Sequence, residues 1–489
     1  MRTHRNDSRT SSHIRNAKSR RILSYILILA VFTCCLLSGC SQKAYTLENL
    51  LSETNAAHQK ISNDGLDSSF TVRNPMDKNG NRITLRERHI YFMPQEEAYD
   101  PEVILTQEQI EEDVAYLFEA LYACYGNYNR MGGQEAFDRA EQAILEECAQ
   151  KAPLQAKEFE ELVRSHLDFV EDAHFKINGI NTNPSKIAFF FRETEFHKAE
   201  DGKYTTKEGK TVASVDGYSD LDALFKRSIS PEGEIVYYPV LLKDCMATDA
   251  FAETQVCTEQ LTVHYTDEST QELECEPYTL SDLLQTVEDP DAIPQISNDG
   301  DIPVFTIYSF MRTDDSDWQE QAQKGVETLR DSKVAILDLR FNSGGYYKPM
   351  LEWLKEYAGM TVPTNLMSFD GFSQNQQTDS NDAWVENKNT LIILTSKRTA
   401  SCAEWMVDAA HNLENVLIIG ENTRGAMQGS SLSEVTLQNS KLRIGMGMTQ
   451  GFVPSEEDYF EEYRGLYPDL WVPAGEAEEV ANKLIERLA

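Results

Sequence analysis

Val334-Ala-Ile-Leu-Asp-Leu-Arg-Phe-Asn-Ser-Gly-Gly345 is a largely apolar run that ends in a polar turn closed by two glycines. Bounded in this way, it reads as a strand buried on both faces, the kind found in a parallel sheet covered by helices. Glycine at the turn lets backbone N–H groups approach another molecule where a side chain would block the way. The pattern continues outward. After Pro303, strands are expected at Val304 to Phe310, Val334 to Leu339, Leu391 to Thr395 and Val416 to Ile419, alternating with helices at Glu320 to Leu329, Met350 to Tyr357 and Cys402 to Ala410. Such alternation specifies the α/β class. A second segment, Thr399-Ala-Ser-Cys-Ala-Glu404, puts Ser401 where an apolar strand gives way to a helix. Its hydroxyl would stand beside unsatisfied N–H groups at the positive end of the helix dipole. In isolation, Thr-Ala-Ser is an ordinary helix cap.

Upstream, residues 106–176 read as a helical subdomain. Thr106 and Gln109 form a capping box, and Ile110, Val114, Leu117, Leu121 and Tyr125 recur at helical spacing, with further helical stretches at 135–150 and 157–169. From 177 to 300 the chain is β-rich, with short pieces such as Thr211–Gly217, Glu234–Pro239 and Gln260–Tyr265. Alternation in the last two points to half-buried antiparallel strands. This region reads either as a divergent PDZ-like module or as a β-rich elaboration of the core, which occupies 301–489. The polar stretch 369–389 is long for a connection and reads as a lid or substrate-facing segment, or as simple disorder.

The amino terminus is of another kind. Residues 22–39 carry no charge and follow a basic head with Arg15, Lys18, Arg20 and Arg21, the layout of a secretory signal. The apolar run ends in Leu37-Ser-Gly-Cys40, which resembles the lipobox of bacterial lipoproteins. That resemblance implies a signal peptide over 1–39, lipidation at Cys40 and a membrane tether. The other reading is an uncleaved anchor, since the run is long enough to span a bilayer. Residues 40–105 are polar, with Asn-Gly, Asp-Gly and Asn-Pro turn signals, and read as a tether and loosely structured lead-in. The formal charge of −35 repels phosphate backbones and argues against nucleic acid as a partner. Six of the nine cysteines lie beyond Cys40 (Cys124, Cys148, Cys245, Cys257, Cys275 and Cys402) in no framework or zinc spacing.

The segments resemble peptidase family S41, the carboxy-terminal processing and tricorn-like serine peptidases. Asp338-Leu-Arg-Phe-Asn-Ser-Gly-Gly345 is similar to the family's glycine turn, Thr399–Glu404 to its nucleophile motif, Gly420-Glu-Asn-Thr-Arg-Gly425 to the segment that follows, and Gly465-Leu-Tyr-Pro-Asp469 to its closing motif. The resemblance implies a ClpP/crotonase-like α/β core. One branch of the family activates its serine with a lysine, but the position 25 residues after Ser401 is Ala426, which takes no proton. Lys397 and Lys441 lie outside the pattern and read as solvated charge. In the other branch the base is a histidine oriented by a glutamate. Glu171-Asp-Ala-His174 and Glu462 resemble the segments that supply them, with His166 and Glu461 as neighbouring rivals.

The resemblance therefore implies a Ser401/His174/Glu462 triad. A serine hydroxyl needs a base, and the base needs a carboxylate to fix its tautomer. Gly344 or Gly345, with the N–H of Cys402, is the expected oxyanion hole. Glu404 is expected to be structural. No metal or cofactor motif is present, and none is expected. The implied function is an exported, membrane-tethered serine peptidase acting on peptides or proteins. Two other readings remain: a peptidase-like lipoprotein that binds peptides or envelope proteins without cutting, and an esterase. The sequence does not reveal the oligomeric state.

Overall fold

A computed structural model describes residues 45–61, 76–77, 79–81, 83–84, 91, 98–245, 259–276, 292–298, 300, 302–364, 367–369, 384–452 and 459–488. The signal segment 1–39, Cys40, Cys257 and most of the polar stretch 369–389 lie outside them. The chain divides into two compact units, 1–49 and 50–489.

The larger unit is centred on the alternating segment. Parallel strands Val304–Thr306, Val334–Asp338, Thr390–Thr395, Val416–Gly420 and Leu470–Trp471 lie side by side. All residues of Thr390–Thr395 and Val416–Gly420 are buried, because helices cover both faces. One cluster packs Trp318 and Val326 of the helix Ser316–Asp331, Trp353 of the helix Tyr347–Ala358, and Met406 of the helix Cys402–Ala410 against Leu337, Leu391 and Ile393. Each such aliphatic side chain contributes about 1.5–3 kcal/mol by leaving water.

The β-rich region joins this sheet. Trp471 pairs in parallel with Ser228 of the strand Phe225–Ile229, and the antiparallel strands Ile235–Cys245, Phe196–Lys198 and Tyr204–Thr206 follow, with Ser185–Phe190 also on Ile235–Cys245. The sheet so formed has 11 strands among the described residues. Gln260–Tyr265 pairs antiparallel with Thr270–Glu274 and Val212–Val215 in a separate three-stranded sheet.

The helical region contains Gln107–Cys124, capped by Thr106 and Gln109, then Gly133–Lys151 and Ala156–His166. Its apolar faces pack on Val435, Ile444 and Met446, which belong to the hairpin Gly429–Thr436 and Arg443–Phe452. The short strand Lys176–Ile177 pairs with that hairpin at Ile444 and Gly445.

The lead-in differs from its expected looseness, since Leu47–His58 is a helix. Leu50, Leu51, Thr54 and His58 recur at helical spacing and are buried. Asn55 Nδ2 donates to Asn415 Oδ1 at 3.2 Å, Asn415 N–H donates back at 2.9 Å, and His58 Nε2 lies 2.8 Å from Asp469 Oδ1. Among the described residues, no helix is long and apolar enough to cross a membrane.

Candidate active site

Ser401 ends a tight connection from the strand Thr390–Thr395 and starts the helix Cys402–Ala410. Its backbone has φ 52° and ψ −116° and its side chain makes no cap bond. For a residue with a β-carbon this conformation costs on the order of 1–3 kcal/mol, and such cost persists only where the surroundings enforce it. Glu404 does so. Its buried carboxylate accepts from the N–H of Ser401 (2.8 Å), Gly425 (2.7 Å) and Ala426 (2.9 Å) and from the Thr423 hydroxyl (2.6 Å). The acid is therefore structural and fastens the serine turn to the 423–426 loop. Burial raises its pKa, and these four bonds oppose the shift.

The glycine turn packs against Ser401. A β-carbon on Gly344 would lie 2.9 Å from Ser401 Cβ and 3.0 Å from Cys402 N, so glycine is required there. Gly344 N–H donates to Asn342 Oδ1 at 2.9 Å. The N–H groups of Gly345 and Cys402 have no acceptor among the described residues. The Asp338-Leu-Arg motif holds the turn from below. Arg340 donates twice to the Asp338 carboxylate, at 2.9 and 2.7 Å, and also reaches Glu478 and Ala474 O.

His174 comes from the loop between the helix Ala156–His166 and the strand Lys176–Ile177. Its Nε2 stands 3.2 Å from Ser401 Oγ, across 227 positions of sequence. The loop is clamped by Asn181, whose amide donates to Ala173 O at 2.7 Å and Phe175 O at 3.3 Å. Burial pushes the His174 pKa down to about 4, Asp172 pulls it up, and Lys176 and Arg424 push it down. The ring is therefore neutral at neutral pH and able to accept a proton.

The other ring nitrogen, Nδ1, is buried without a hydrogen-bond partner. Two buried acids stand by it. Asp172 Oδ1 lies 3.9 Å away, while Glu462 belongs to the same cluster, in which ligand-type atoms of Asp172, His174 and Glu462 lie within 4.8 Å of one another. These are also the groups that could hold a metal ion among the described residues. Glu462 makes no hydrogen bond to the ring: Oε1 accepts from Ala173 N–H at 2.9 Å and Oε2 from Met427 and Gln428 N–H at 3.3 and 3.2 Å. Burial, with Asp172 nearby, raises its pKa well above the usual range, against those N–H bonds.

Asp172 escaped the sequence reading, although it lies within Glu171-Asp-Ala-His174. The signal was an aspartate two positions before a loop residue, which favours a turn closed by its own carboxylate. Here Oδ1 accepts His174 N–H at 2.8 Å, and Oδ2 accepts Tyr125 OH and Asn127 Nδ2, both at 2.9 Å.

The neighbouring rivals lie elsewhere. His166 Nε2 faces Glu147 at 2.9 Å, and exposed Glu461 pairs with Arg464 at 3.3 Å. Lys397 corrects its reading as solvated charge: it is 1 % exposed, and its Nζ donates to the carbonyls of Thr423, Arg424, Tyr463 and Arg464 at 2.8–3.2 Å. Ala426 packs with Ala173 and Tyr463. Cys124, Cys148, Cys275 and Cys402 are buried thiols, and burial pushes the Cys402 thiol up, which leaves it inert as a nucleophile.

Residues 301–472 match the model of peptidase family S41. This segment belongs to peptidase family S41. The S41 segment contains the glycine turn, Ser401, Glu404 and Glu462, whereas His174 and Asp172 precede it. No curated protein matches the sequence. Similar solved structures include mature CPAF (12% identity, 78% of this chain and 95% of that chain covered, TM-score 0.41). They also include the photosystem II D1 C-terminal processing protease (14%, 79% and 100%, TM-score 0.36) and a lipoprotein from Streptococcus agalactiae (14%, 78% and 97%, TM-score 0.38). At such identities and TM-scores these likenesses add nothing to the family match.

Proposed function

We propose that this S41 peptidase cuts peptide bonds through an acyl-enzyme, with Ser401 as nucleophile and His174 as base. The observation that carries the reading is the 3.2 Å approach of His174 Nε2 to Ser401 Oγ. His174 takes the hydroxyl proton as Oγ bonds to the substrate carbonyl carbon, and the oxyanion rests on the N–H groups of Gly345 and Cys402. Gly344 N–H is committed to Asn342, which favours Gly345 as the second donor. The imidazolium passes its proton to the leaving amine, and water repeats the steps on the ester.

Asp172 and Glu462 act together on Nδ1. The charge of Asp172 favours the imidazolium that forms in the transition state, and a small ring shift toward either acid gives Nδ1–H its acceptor. Catalytic hydrogen bonds are commonly long in the unliganded enzyme.

A fluorophosphonate probe tests the reading. Ser401 is expected to be labelled in the wild-type protein, with labelling and peptide hydrolysis both lost in Ser401→Ala and His174→Ala. A folded wild-type protein that resists the probe would favour a peptide binder, and ester turnover without peptide cleavage would identify an esterase.

The basic head, the apolar run and Leu37-Ser-Gly-Cys40 support an exported protein tethered through lipid on Cys40. Cys40→Ala is expected to move the protein out of the membrane fraction; unchanged fractionation would point to an uncleaved anchor.

A further inference from the structure

One nitrogen of the His174 ring faces Ser401, and the other faces acid. The residue is 5 % exposed, and its Nδ1 is buried with no hydrogen-bond partner. Buried Asp172 and Glu462 are its neighbours there: Asp172 Oδ1 lies 3.9 Å from Nδ1, and ligand-type atoms of the three side chains fall within 4.8 Å of one another. Six neutral groups donate to the two carboxylates. His174 N–H goes to Asp172 Oδ1, and Tyr125 OH and Asn127 Nδ2 go to Oδ2. Ala173 N–H goes to Glu462 Oε1, and Met427 and Gln428 N–H go to Oε2. A carboxylate oxygen has two lone pairs. Asp172 Oδ1 and Glu462 Oε1 therefore each keep one, while Oδ2 and Oε2 have used both.

Nδ1, Oδ1 and Oε1 make one donor set, an imidazole nitrogen with two carboxylate oxygens. Such a set suits Zn2+, which takes nitrogen and oxygen ligands together and keeps a fourth position for water. Mg2+ and Ca2+ ask for about six or more ligands, nearly all oxygen, and are poorly served by it. Tetrahedral ligands on Zn2+ stand about 3.4 Å apart, so the ring and the acids draw together by about 1 Å on binding. A dication also offsets the repulsion between two adjacent buried carboxylates. Its effect on the base follows from proton accounting. With the metal on the Nδ1 lone pair, a neutral ring carries its single proton on Nε2, the nitrogen 3.2 Å from Ser401 Oγ. That proton moves from Nδ1 to Nε2 and none leaves the protein. Nε2 then donates to the hydroxyl and has no lone pair left to deprotonate it.

We propose that Asp172 Oδ1, His174 Nδ1 and Glu462 Oε1 form an inhibitory Zn2+ site behind the base, which silences Ser401 by holding His174 in the wrong tautomer. The ion is a blocker, not a cofactor. Its binding stands on the donor set alone, whereas the inhibition rests on the reading of His174 as the base for Ser401.

The test uses the full chain, free of any affinity tag, with millimolar Mg2+ present to occupy surface acids. Zn2+ binding is measured by competition with a chromogenic chelator, and the rate of fluorophosphonate labelling at Ser401 is followed in parallel. One Zn2+ per chain is expected to bind with micromolar or tighter affinity. Labelling should slow about 10-fold once free Zn2+ reaches about ten times its Kd, and EDTA should restore it. His174→Ala and Asp172→Asn should each weaken binding roughly 10-fold or more, since even the outer-shell partners of metal ligands are worth that much. His166→Ala removes a ring that faces Glu147 and should change neither binding nor inhibition. With no substitution at all, the anomalous signal of zinc in crystals of the wild-type protein should fall between Nδ1, Oδ1 and Oε1. Absence of a stoichiometric site, an unchanged affinity in His174→Ala, or zinc found only at surface carboxylates overturns the site. Occupancy of the site with labelling unslowed overturns the inhibition. A wild-type serine that fails to label even in EDTA removes the peptidase reading separately, and the chelator competition and the zinc signal still decide the site.

Discussion

At the scale of single residues, the site depends on a neutral imidazole between a hydroxyl and two buried acids. His174 is held at about 4 and His411 at about 3, chiefly by burial. Both lie below the 6.5 of an ordinary histidine, so between about 6.5 and 4 the unfolded chain binds more protons than the folded one. Their contribution to stability is complete above 6.5 and is lost as pH falls through the folded values, which a denaturant midpoint series from pH 7 to pH 4 should show as a steady decline. For the same reason the acid limb of kcat/KM should fall near pH 4 rather than near 6.5. Asp172 raises the imidazole pKa, so Asp172→Asn should move that limb lower still and reduce kcat by roughly 100-fold or more, with KM little changed. An unmoved limb would mean that Asp172 only shapes the loop. Gly344→Ala needs a β-carbon 2.9 Å from Ser401 Cβ at φ +106° and should abolish labelling in a protein that still folds.

At the scale of elements, what holds the site is a set of knots between segments distant in sequence. Lys397, just after the strand Thr390–Thr395, ties carbonyls of the 423–424 turn to those of 463–464, next to Glu462. Lys397→Met leaves the Thr423 carbonyl without its donor, at about 1–3 kcal/mol, whereas Tyr463 O keeps the Lys186 N–H and Arg464 O keeps the Asn422 amide. It should lower the melting temperature and slow labelling together, whereas loss of stability with unchanged labelling would show that the knot does not position the site. His58 and Asp469 form a second knot. Burial alone would raise the Asp469 pKa, but His58 beside it and the Ile418 N–H bring it below the usual value. Breaking a buried pair from one side costs about 3–5 kcal/mol, so His58→Ala should lower the denaturant midpoint clearly, as equilibrium unfolding can measure. These knots were the least legible part of the sequence. The helix Cys402–Ala410 and the core strands could be read from apolar runs and a motif, because their signals are local. Lys397 looked like solvated charge since its four acceptors come from other segments. Asp172 stood beside His174 in a recognisable motif, but residue order does not show which way a carboxylate faces. The helix Leu47–His58 was hidden by the polar sequence around its four buried positions.

At the scale of the whole molecule, the S41 segment is not self-sufficient. The core strand Leu470–Trp471 is only two residues long, too short to reveal a period, yet it joins the parallel sheet to Phe225–Ile229 and so to the strands before residue 245. Trp471 also packs with Ala188, Phe190 and Val240, while Ile444 and Met446 pack against the helices of 107–166. His174 and Asp172 come from that helical side, and Tyr125 and Asn127 hold Asp172 from it. A chain of residues 301–489 keeps Ser401 and Glu462 but loses His174, the proposed base, and Asp172 beside it. It also exposes the apolar face of the hairpin and an unpaired sheet edge, a template for aggregation. Expressed alone, it should be largely insoluble and should not react with a fluorophosphonate. The full chain should unfold in urea with one transition, followed alike by tryptophan fluorescence and by loss of labelling, because the sheet and the site span the same regions. A soluble, folded and labelled 301–489 would show that the helical and β-rich regions are appendages, and would remove His174 as the base.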